Sequence, residues 1–335
     1  MSKNRSICIT VTATLAIAVA SAEMPSAAQT QRIGKQIPAV MHNTWTSGAE
    51  MPTASSCSMV GVLEGEIYVV GGENPDNVVI ADTQIYNPTT NTWRTGVPLP
   101  TPLCDGIAAV VNNILYVTGG WEHSGGKCTK ALWAYSPKTN QWTSKSAMPT
   151  AKCSMGIAVQ KNIIYAIGGI DNDNRRLTTV ESYNQETDTW RKKAPLLVGK
   201  SDITAGLVAA MIVAADGYES DGDFGDNEGY RRNPNTWTSF MSDPTPRNAA
   251  CGGGIGGEMY VAGGYPGGPP GTPAMSLTES FNVSTNTWET LVPMPQAAMW
   301  DGAAASAVYQ GKLYCFGGWS SYVGTVLGNV QIYQP

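Results

Sequence analysis

Three aspartates recur at nearly the same place in alternate repeats of this chain and could supply acid–base chemistry. Asp105, Asp202 and Asp301 each stand close before an apolar run, and Glu122 and Arg247 lie in loop segments of the same kind. Carboxylates held close together repel one another, which raises a pKa and favours general acid or base catalysis, while an arginine could hold an anionic substrate. The alternative is structural, because an aspartate at the start of a strand commonly accepts hydrogen bonds within its turn. The pattern favours the structural interpretation and leaves the catalytic one open.

A second group combines aromatic rings, carboxylates and an imidazole in two sets of predicted loops. Side chains of this kind are typical of sites for carbohydrates and other polar small molecules. The candidate ligand-binding residues are Glu73, Trp121, His123, Asp171, Tyr265, Trp300 and Trp319. We expect both groups to meet on one face as a shallow acidic and aromatic funnel, with Arg247 and Lys152 as the nearby cations.

Metal and cofactor chemistry has weak support in the sequence. The chain contains only two histidines, His42 and His123, on different predicted elements, and its cysteines show no Cys-x-x-Cys spacing. The acidic run over 219–228 lacks the spacing of an EF-hand loop, so we predict a solvated loop and leave calcium binding open. No Gly-x-Ser-x-Gly, His-Glu-x-x-His or phosphate-loop motif is present. We therefore predict no metal and no cofactor.

The elements that would position these residues follow from an internal repeat of about 48 residues. The tryptophan-to-tryptophan steps from Trp45 are 48, 49, 48, 47 and 51 residues. An aromatic residue precedes the tryptophan by seven positions in the pairs Tyr86–Trp93, Tyr135–Trp142, Tyr183–Trp190, Tyr230–Trp237 and Phe281–Trp288. A Gly-Gly pair closes an apolar run in each unit except the fourth, which has Asp216-Gly217. Four short strands per unit at this period are typical of propeller blades, and we expect the repeated tryptophans to be core residues.

The two ends of the chain carry complementary defects. Trp45, in a strand predicted over 40–46 with a turn at Ser47-Gly48, has no Gly-Gly unit before it, and Tyr333 has no tryptophan after it. We therefore predict an all-β, six-bladed propeller over 37–335 whose last blade is closed by the N-terminal strand. In the first blade the strands are predicted over 57–63, 66–71, 83–87 and 92–95, and in the second over 106–111, 114–119, 131–136 and 141–144.

The N-terminus predicts export. Lys3 and Arg5 precede an apolar run that ends in Ala20-Ser21-Ala22, so we predict a signal peptide over 1–22 and a flexible lead-in over 23–36. Six cysteines remain, and disulfides are compatible with an exported protein, although their pairing is left open. Our first candidate pair is Cys104 with Cys128. The net charge of −5 gives no reason to expect nucleic acid or an anionic membrane as partner, and no run reads as a stable membrane span.

The repeat unit consists of an apolar strand ending in Gly-Gly, a tyrosine, a tryptophan seven residues later and a proline-containing link. This pattern resembles the Kelch repeat. The resemblance covers about residues 40–335 and implies a six-bladed β-propeller, but such propellers serve as binding modules, oxidases and isomerases alike. The fourth blade departs from it, and only Pro246-Arg247 keeps the arginine of the family's link. Copper oxidases are among the proteins with this type of propeller, but their copper sites need paired histidines, which argues against that activity here.

The sequence thus predicts an exported, monomeric Kelch-like propeller that binds a polar, carbohydrate-like small molecule or a partner protein at the channel mouth. The alternative is a periplasmic sugar mutarotase or isomerase that uses the carboxylates as acid and base groups. Whether the protein is an enzyme is left open.

Overall fold

The computed structural model describes residues 42–123, 126–219, 225–268, 272–299, 305–320 and 324–335. The regular structure in these ranges consists of β-strands, and they contain no helix long and apolar enough to cross a membrane. The predicted signal peptide and lead-in, together with Trp300 and Asp301, lie outside the described residues, as does part of the acidic run over 219–228.

The strands follow the predicted repeat closely. β1 is Thr44–Gly48, and the first blade contains β2 (Met59–Leu63), β3 (Glu66–Val70), β4 (Thr83–Asn87) and β5 (Thr92–Thr95). The second and third blades contain β6 (Ile107–Val111), β7 (Ile114–Thr118), β8 (Leu132–Ser136), β9 (Gln141–Lys145), β10 (Gly156–Gln160), β11 (Ile163–Ile167), β12 (Val180–Asn184) and β13 (Thr189–Lys192). The fourth blade and its short extra strands are β14 (Lys200–Ser201), β15 (Thr204–Val208), β16 (Met211–Ala215), β17 (Tyr218–Glu219), β18 (Glu228–Arg231) and β19 (Thr236–Ser239). The remainder are β20 (Cys251–Ile255), β21 (Glu258–Ala262), β22 (Thr278–Asn282), β23 (Thr287–Leu291), β24 (Ser306–Tyr309), β25 (Lys312–Phe316), β26 (Trp319–Ser320), β27 (Thr325–Val326) and β28 (Val330–Gln334).

Six four-stranded antiparallel sheets form the blades of a closed ring. Each inner strand contacts the inner strand of the next blade, in the order β2, β6, β10, β15, β20, β24 and back to β2. The sixth sheet has the order β24-β25-β28-β1, so the N-terminal strand is its outer strand, as predicted. Trp45 pairs with Tyr333 across this closure, with ring centroids 5.1 Å apart. The predicted turn at Ser47-Gly48 is wrong, because both residues continue β1 and pair with Gln331 and Val330.

The repeated aromatic residues join consecutive blades, which confirms their structural role. In each blade the aromatic residue of the third strand packs on the tryptophan of the outer strand, with ring centroids 5.0–5.3 Å apart. Every one of the six tryptophans donates its indole N–H to a carbonyl of the link leaving the preceding blade, at 2.8–3.0 Å. This hydrogen bond from the indole therefore ties one blade to the next.

The Gly-Gly pairs permit close approach of neighbouring blades. Gly71 has φ +64°, and a Cβ there would lie 2.2 Å from the carbonyl oxygen of Leu103 in the next link. The N–H of Gly72 donates to that same carbonyl at 2.8 Å, and the second glycine of each other blade makes the equivalent bond. A side chain at Gly71 would force the two blades apart.

Three disulfides link blades that are neighbours in the ring. The pairs are Cys57–Cys104, Cys128–Cys153 and Cys251–Cys315, with Cα atoms 5.3, 5.5 and 5.9 Å apart. The predicted pairing of Cys104 with Cys128 is therefore wrong. Both cysteines belong to the second blade, but each finds its partner in an adjacent blade, because the links of successive blades lie side by side at the mouth of the channel.

Candidate functional site

In the first five blades, the residue two positions before the inner strand belongs to a series of backbone hydrogen bonds at one end of the channel, here called the backbone ring. Cys57, Asp105, Ser154, Asp202 and Ala249 all have left-handed backbone conformations, with φ between 47° and 61°. From Asp105 to Ala249, each N–H donates to the carbonyl of the preceding member, at 2.8–3.1 Å. The conformation turns each link into its strand, and Asp tolerates it better than most residues. The recurrence of aspartate here is therefore explained in part by backbone geometry.

A cavity of about 420 Å³ opens beside this ring, next to the fourth and fifth blades. Its walls include Asp202, Tyr218, Asn248 and Tyr265, with Met299 and the glycine-rich segment at Gly267-Gly268 completing it. Two predicted site residues, Asp202 and Tyr265, are thus brought together. The Asp202 carboxylate accepts a hydrogen bond from the Ser201 hydroxyl at 2.7 Å, and the Tyr265 hydroxyl donates to the Gly268 carbonyl at 3.0 Å.

Strand pairing explains why two tyrosine rings line the wall of this cavity. Tyr218 pairs with Ser201 in the β14–β17 ladder, and Tyr265 forms an isolated bridge with Asn248. Both tyrosines follow the second strand of their blade, and both partners lie in the link that enters the same blade. The loop that follows a second strand and the link that precedes an inner strand therefore meet here, as the sequence pattern predicted.

Asp105 lies in the same backbone ring, but it is only 1% exposed. Its carboxylate accepts a hydrogen bond from the Ser154 hydroxyl of the next blade. Ser154 in turn donates its backbone N–H to the Asp105 carbonyl at 3.0 Å. These contacts fit the structural interpretation of Asp105 as a residue that joins two links. A catalytic role for Asp105 would require access that this burial does not offer.

Arg247 is fully buried, with 0% of its surface exposed. Its guanidinium forms ion pairs with Glu279 of the third strand and with Asp243, the latter at 3.3 Å, and donates to the Leu277 carbonyl at 3.2 Å. We therefore assign Arg247 to the internal structure of the fifth blade rather than to the cavity. Its predicted role as the holder of an anionic substrate finds no support in this placement.

Lys152 and Lys200 occupy the positions equivalent to Arg247 in the third and fourth blades. The carbonyl of each accepts the N–H of the second glycine of the preceding blade. Lys152 pairs with Glu181 and Lys200 with Glu228, both at 3.4 Å and both in the interior. The family's link cation is thus present in three successive blades as Lys or Arg, a substitution that the search for arginine alone missed.

Asp216 explains the departure of the fourth blade from Gly-Gly. It keeps the left-handed conformation of the replaced glycine, with φ +57°, and is fully buried. Burial raises the pKa of its carboxyl well above the usual value and the neighbouring Asp243 raises it further, while Arg247 and Lys200 act in the opposite direction. A neutral carboxylic acid at this position avoids placing another negative charge beside Asp243.

The remaining predicted residues lie around the same face. Glu73 forms isolated bridges with Ser56 and Val79 in the first blade, and Trp121 forms bridges with Cys104 and Cys128 in the second. Trp121 packs against Cys57 and Cys104, and no described residue accepts a hydrogen bond from its buried indole nitrogen.

Exposure separates the other candidates on this face. Glu122 and His123 are exposed, whereas Trp319 is half-buried and pairs with Val326 of β27. None of Glu122, His123 or Trp319 lines the 420 Å³ cavity, and neither do Glu73 and Trp121.

Asp171 is engaged in its own loop. Burial tends to raise the pKa of Asp171, but the backbone N–H groups of Arg175 and Asp173 and the Arg175 guanidinium outweigh it and bring the pKa below the usual value. The Arg175 guanidinium forms an ion pair with the Asp171 carboxylate at 2.8 Å. Asp171 thus stabilises the loop, and it does not line the cavity.

Asn248 and Tyr218 lie in the loop segments that were expected to form the funnel, although neither was chosen as a candidate site residue, and both line the cavity. Arg176 was not predicted. Arg176 places its guanidinium carbon 3.6 Å from the centre of the Tyr218 ring, and its Nε donates to no described acceptor. A cation held over an aromatic face is favourable and leaves a positive charge near the cavity wall. A search for cations in loops that follow the second strand would have found Arg176.

The channel itself is apolar where the inner strands line it. A second cavity of about 400 Å³ is bounded by the middle residues of all six inner strands, such as Gly61, Ala109, Ala158, Gly206 and Gly253. No carboxylate lines this cavity among the described residues.

Comparison with known proteins agrees with this architecture. The family described as KLHDC2/KLHL20/DRC7 Kelch-repeats domain matches residues 39–205, and the Kelch motif matches residues 246–295 and 302–335. This chain belongs to the Kelch-repeat family. It is also similar to Kelch-like protein 23 of Homo sapiens and of Mus musculus, at 25% identity over 158 residues in both cases.

That similarity is partial. The aligned segment covers 46% of this chain but only 26% of the length of those relatives. The solved structure of YjhT superposes with a TM-score of 0.72 at 15% identity, covering 84% of this chain and 95% of that chain. At this identity the likeness shows the fold alone.

Proposed function

We propose that this protein is an exported Kelch propeller that binds a polar, carbohydrate-like small molecule at the mouth of its channel. The observation that carries the proposal is the 420 Å³ cavity beside the backbone ring, walled by two tyrosines, a carboxylate and an amide. Its volume lies in the range of small-molecule sites, and aromatic faces with a few polar groups are what such sites use for orientation and specificity. A partner protein is the alternative occupant, and Kelch propellers commonly bind proteins.

Export and a monomeric state belong to the same proposal. Three disulfides in the described residues are compatible with an oxidising compartment, and a signal peptide over 1–22 would provide the route. We expect the mature protein to begin at Glu23 in the periplasmic or secreted fraction. N-terminal sequencing of that fraction tests this, and an intact Met1 in a reducing compartment would contradict it.

Sugar isomerisation or mutarotation is a second candidate, favoured by the Asp202 carboxylate in the cavity wall. Asp202 could act as the acid or base group if a sugar oxygen or ring carbon comes within hydrogen-bond distance. Asp202→Asn should then abolish turnover while the protein still folds and binds. If the protein only binds its ligand, no anomer exchange above the spontaneous rate will be seen by NMR.

Calorimetric titration of the mature chain with neutral sugars, uronic acids and sialic acid tests the binding proposal. A ligand of the mouth should lose at least tenfold in affinity with Tyr265→Ala and with Asn248→Ala, because each variant removes a wall of the cavity. Tyr309→Ala is the matched control, since Tyr309 lies at the far end of an inner strand, where β24 turns into β25. Binding that survives both cavity variants would contradict the proposed site.

A further inference from the structure

A basic groove lies on the face of the ring opposite the channel mouth. Its cavity of about 450 Å³ is lined by Gln160, Lys161, Ala210, Arg231, Arg232, Asn233 and Pro234. These residues belong to the β10–β11 and β15–β16 turns and to the β18–β19 hairpin, which in an antiparallel blade lie at the other end of the strands from the mouth. Three of the seven lining residues are cationic, and none is acidic.

Lys161 stands at a turn position that does not require a particular side chain. It has φ +50° in the turn between the first and second strands of the third blade. The equivalent positions of the other blades have the same left-handed conformation with residues of several types, namely Glu64, Asn112, Ala209, Gly256 and Gln310. The turn therefore accepts a lysine without calling for one.

Arg231 stands at a hairpin position where an asparagine stabilises the turn in three other blades. The equivalent positions Asn87, Asn184 and Asn282 each accept hydrogen bonds from backbone N–H groups two or three residues later in the hairpin. In the fourth blade Pro234 removes one of those N–H groups, and the backbone bond from Asn235 to the Arg231 carbonyl closes the turn at 3.0 Å. The Arg231 side chain therefore has no role in holding its own turn.

The three cations are not neutralised by the described protein. Lys161, Arg231 and Arg232 are exposed, and none forms an ion pair with a carboxylate in the ranges that the structure describes. Among other exposed cations, Arg94 and Arg175 each pair with an acidic side chain, whereas Arg191 and Lys192 form no ion pair within the described ranges. In a chain of net charge −5, a concentration of unpaired positive charge in one concavity is unexpected.

Gln160 adds a second polar feature at the floor of the groove. It is 7% exposed, and its amide nitrogen donates to the Ala210 carbonyl at 2.8 Å. Its amide oxygen accepts no hydrogen bond from any described residue. A buried acceptor without a partner costs free energy, which a donor from outside the chain could recover.

We infer that this groove is a binding site for a small, hydroxylated anion that carries at least two oxyanion groups, such as a doubly phosphorylated or doubly carboxylated sugar. Arg231 and Arg232 present planar forks that match carboxylate or phosphate oxygens, and Lys161 adds a point charge on the other side of the groove. A hydroxyl of the ligand would meet the Gln160 amide after a small adjustment of the floor. The site is separate from the channel mouth and does not depend on the proposed function there.

Titration calorimetry at low ionic strength tests this with two probes, digalacturonic acid and fructose 1,6-bisphosphate. The wild type should bind at least one of them, and Arg231→Gln/Arg232→Gln should weaken that binding at least tenfold. The double variant Arg191→Gln/Lys192→Gln is the matched control, because it removes the same charge from exposed positions of β13 outside the groove. It should change the affinity by less than threefold.

Comparison of the two probes shows whether the groove prefers carboxylate or phosphate groups. Maltose, which carries neither group, should not bind the groove. Raising the salt concentration should weaken binding, because the contributing charges are exposed. No binding of either probe by the wild type would overturn the inference. An equal loss of affinity in both double variants would also overturn it, since general attraction to a basic surface would then account for the binding. Tyr265→Ala should leave binding of these probes to the groove unchanged, which separates this site from the mouth.

Discussion

Removal of one partner of the buried Lys152–Glu181 pair should destabilise the fold strongly, whereas removal of both should cost little. Both side chains are 0% exposed, and the ammonium lies 3.4 Å from the carboxylate. The ammonium also donates to the carbonyls of Ala166 and Thr179, at 3.2 and 3.3 Å, and the carboxylate accepts from Thr150 at 2.9 Å. Lys152→Met or Glu181→Gln alone would leave a charge in the interior with no counter-charge.

The expected magnitude follows from that uncompensated charge. Loss of one partner of a buried ion pair costs about 3–5 kcal/mol, while replacing both partners with well-packed neutral groups is often close to neutral. The ring contains its own precedent for the neutral state. In the second blade the equivalent positions are Leu103 and Trp133, by the same backbone bond and the same strand register. The double variant Lys152→Met/Glu181→Gln should therefore lie within about 1.5 kcal/mol of the wild type.

Denaturant unfolding in non-reducing buffer, with the slope checked in each variant, measures the free energy of unfolding for all members of this double-mutant cycle. A coupling energy of roughly 3 kcal/mol is expected. Single variants within about 1 kcal/mol of the wild type would refute the reasoning, because the interior would then tolerate an isolated charge. A double variant as unstable as the sum of the two single variants would refute it as well.

The pH dependence of the same pair has a definite sign. Burial lowers the pKa of Lys152 to about 8, against the attraction of Glu181, which raises it. Between pH 8 and the ordinary lysine value the unfolded chain holds more protons than the folded chain, so stability increases with pH in that window. Relative to the double variant, the wild type should gain roughly 3 kcal/mol across it. Burial raises the pKa of tyrosines such as Tyr230, in that case to about 12, so their ionisation makes stability decrease with pH above pH 10. The same tyrosines are present in both proteins, so their effect cancels when the wild type is compared with the double variant.

Two further predictions concern other buried groups. Cys57→Ala/Cys104→Ala removes a disulfide that closes a loop of 47 residues, so the free energy of unfolding should fall by about 4 kcal/mol, and a loss under about 1 kcal/mol would contradict a formed bond. Asp216 has a raised pKa in the folded chain, so its contribution is fully present below the ordinary aspartate value and is lost as the pH rises through the folded pKa. Asp216→Asn should therefore stabilise the protein more at pH 7 than at pH 4. An equal change in the free energy of unfolding at the two pH values would contradict this, because the pKa of Asp216 would then be the same in the folded and unfolded chains.

Periodicity was sufficient to predict the fold, because the repeated residues make the same kind of contact between adjacent blades. The tryptophan position recurs in all six blades and the glycine pair in five, and the strand around Trp45 supplies the tryptophan of the last blade. The turn predicted at Ser47-Gly48 was wrong because a small residue and a glycine in sequence resemble a turn, whereas pairing with β28 extends the strand through them. The disulfide pairing could not be predicted from the sequence. Cys57 and Cys104 are separated by about one blade in the sequence, and they meet because neighbouring blades lie side by side in the ring.

The face that carries the candidate site could be predicted from the sequence, but the individual residues of the site could not. Loop position brought Asp202 and Tyr265 to one cavity, yet charge alone could not tell a residue of the site from a buried partner. Arg247 is the clearest case, because its role depends on Glu279, which lies 32 residues away on the third strand of the same blade. The pairing is visible only when equivalent positions of different blades are compared, with a cation in the link wherever the third strand has a glutamate.

That comparison gives a physical way to sort the departures of each blade from the common pattern. Where the changed residue is buried and has acquired a partner, as with Lys200 and Glu228, the change maintains the blade and says nothing about a ligand. Where the changed residue is exposed and pairs with no carboxylate in the described chain, as with Arg231 and Lys161, the blade itself gives no structural reason for the charge. A ligand of the proposed groove would account for that unpaired charge, and this is why the groove, remote from the mouth, is worth testing first by charge-matched substitution.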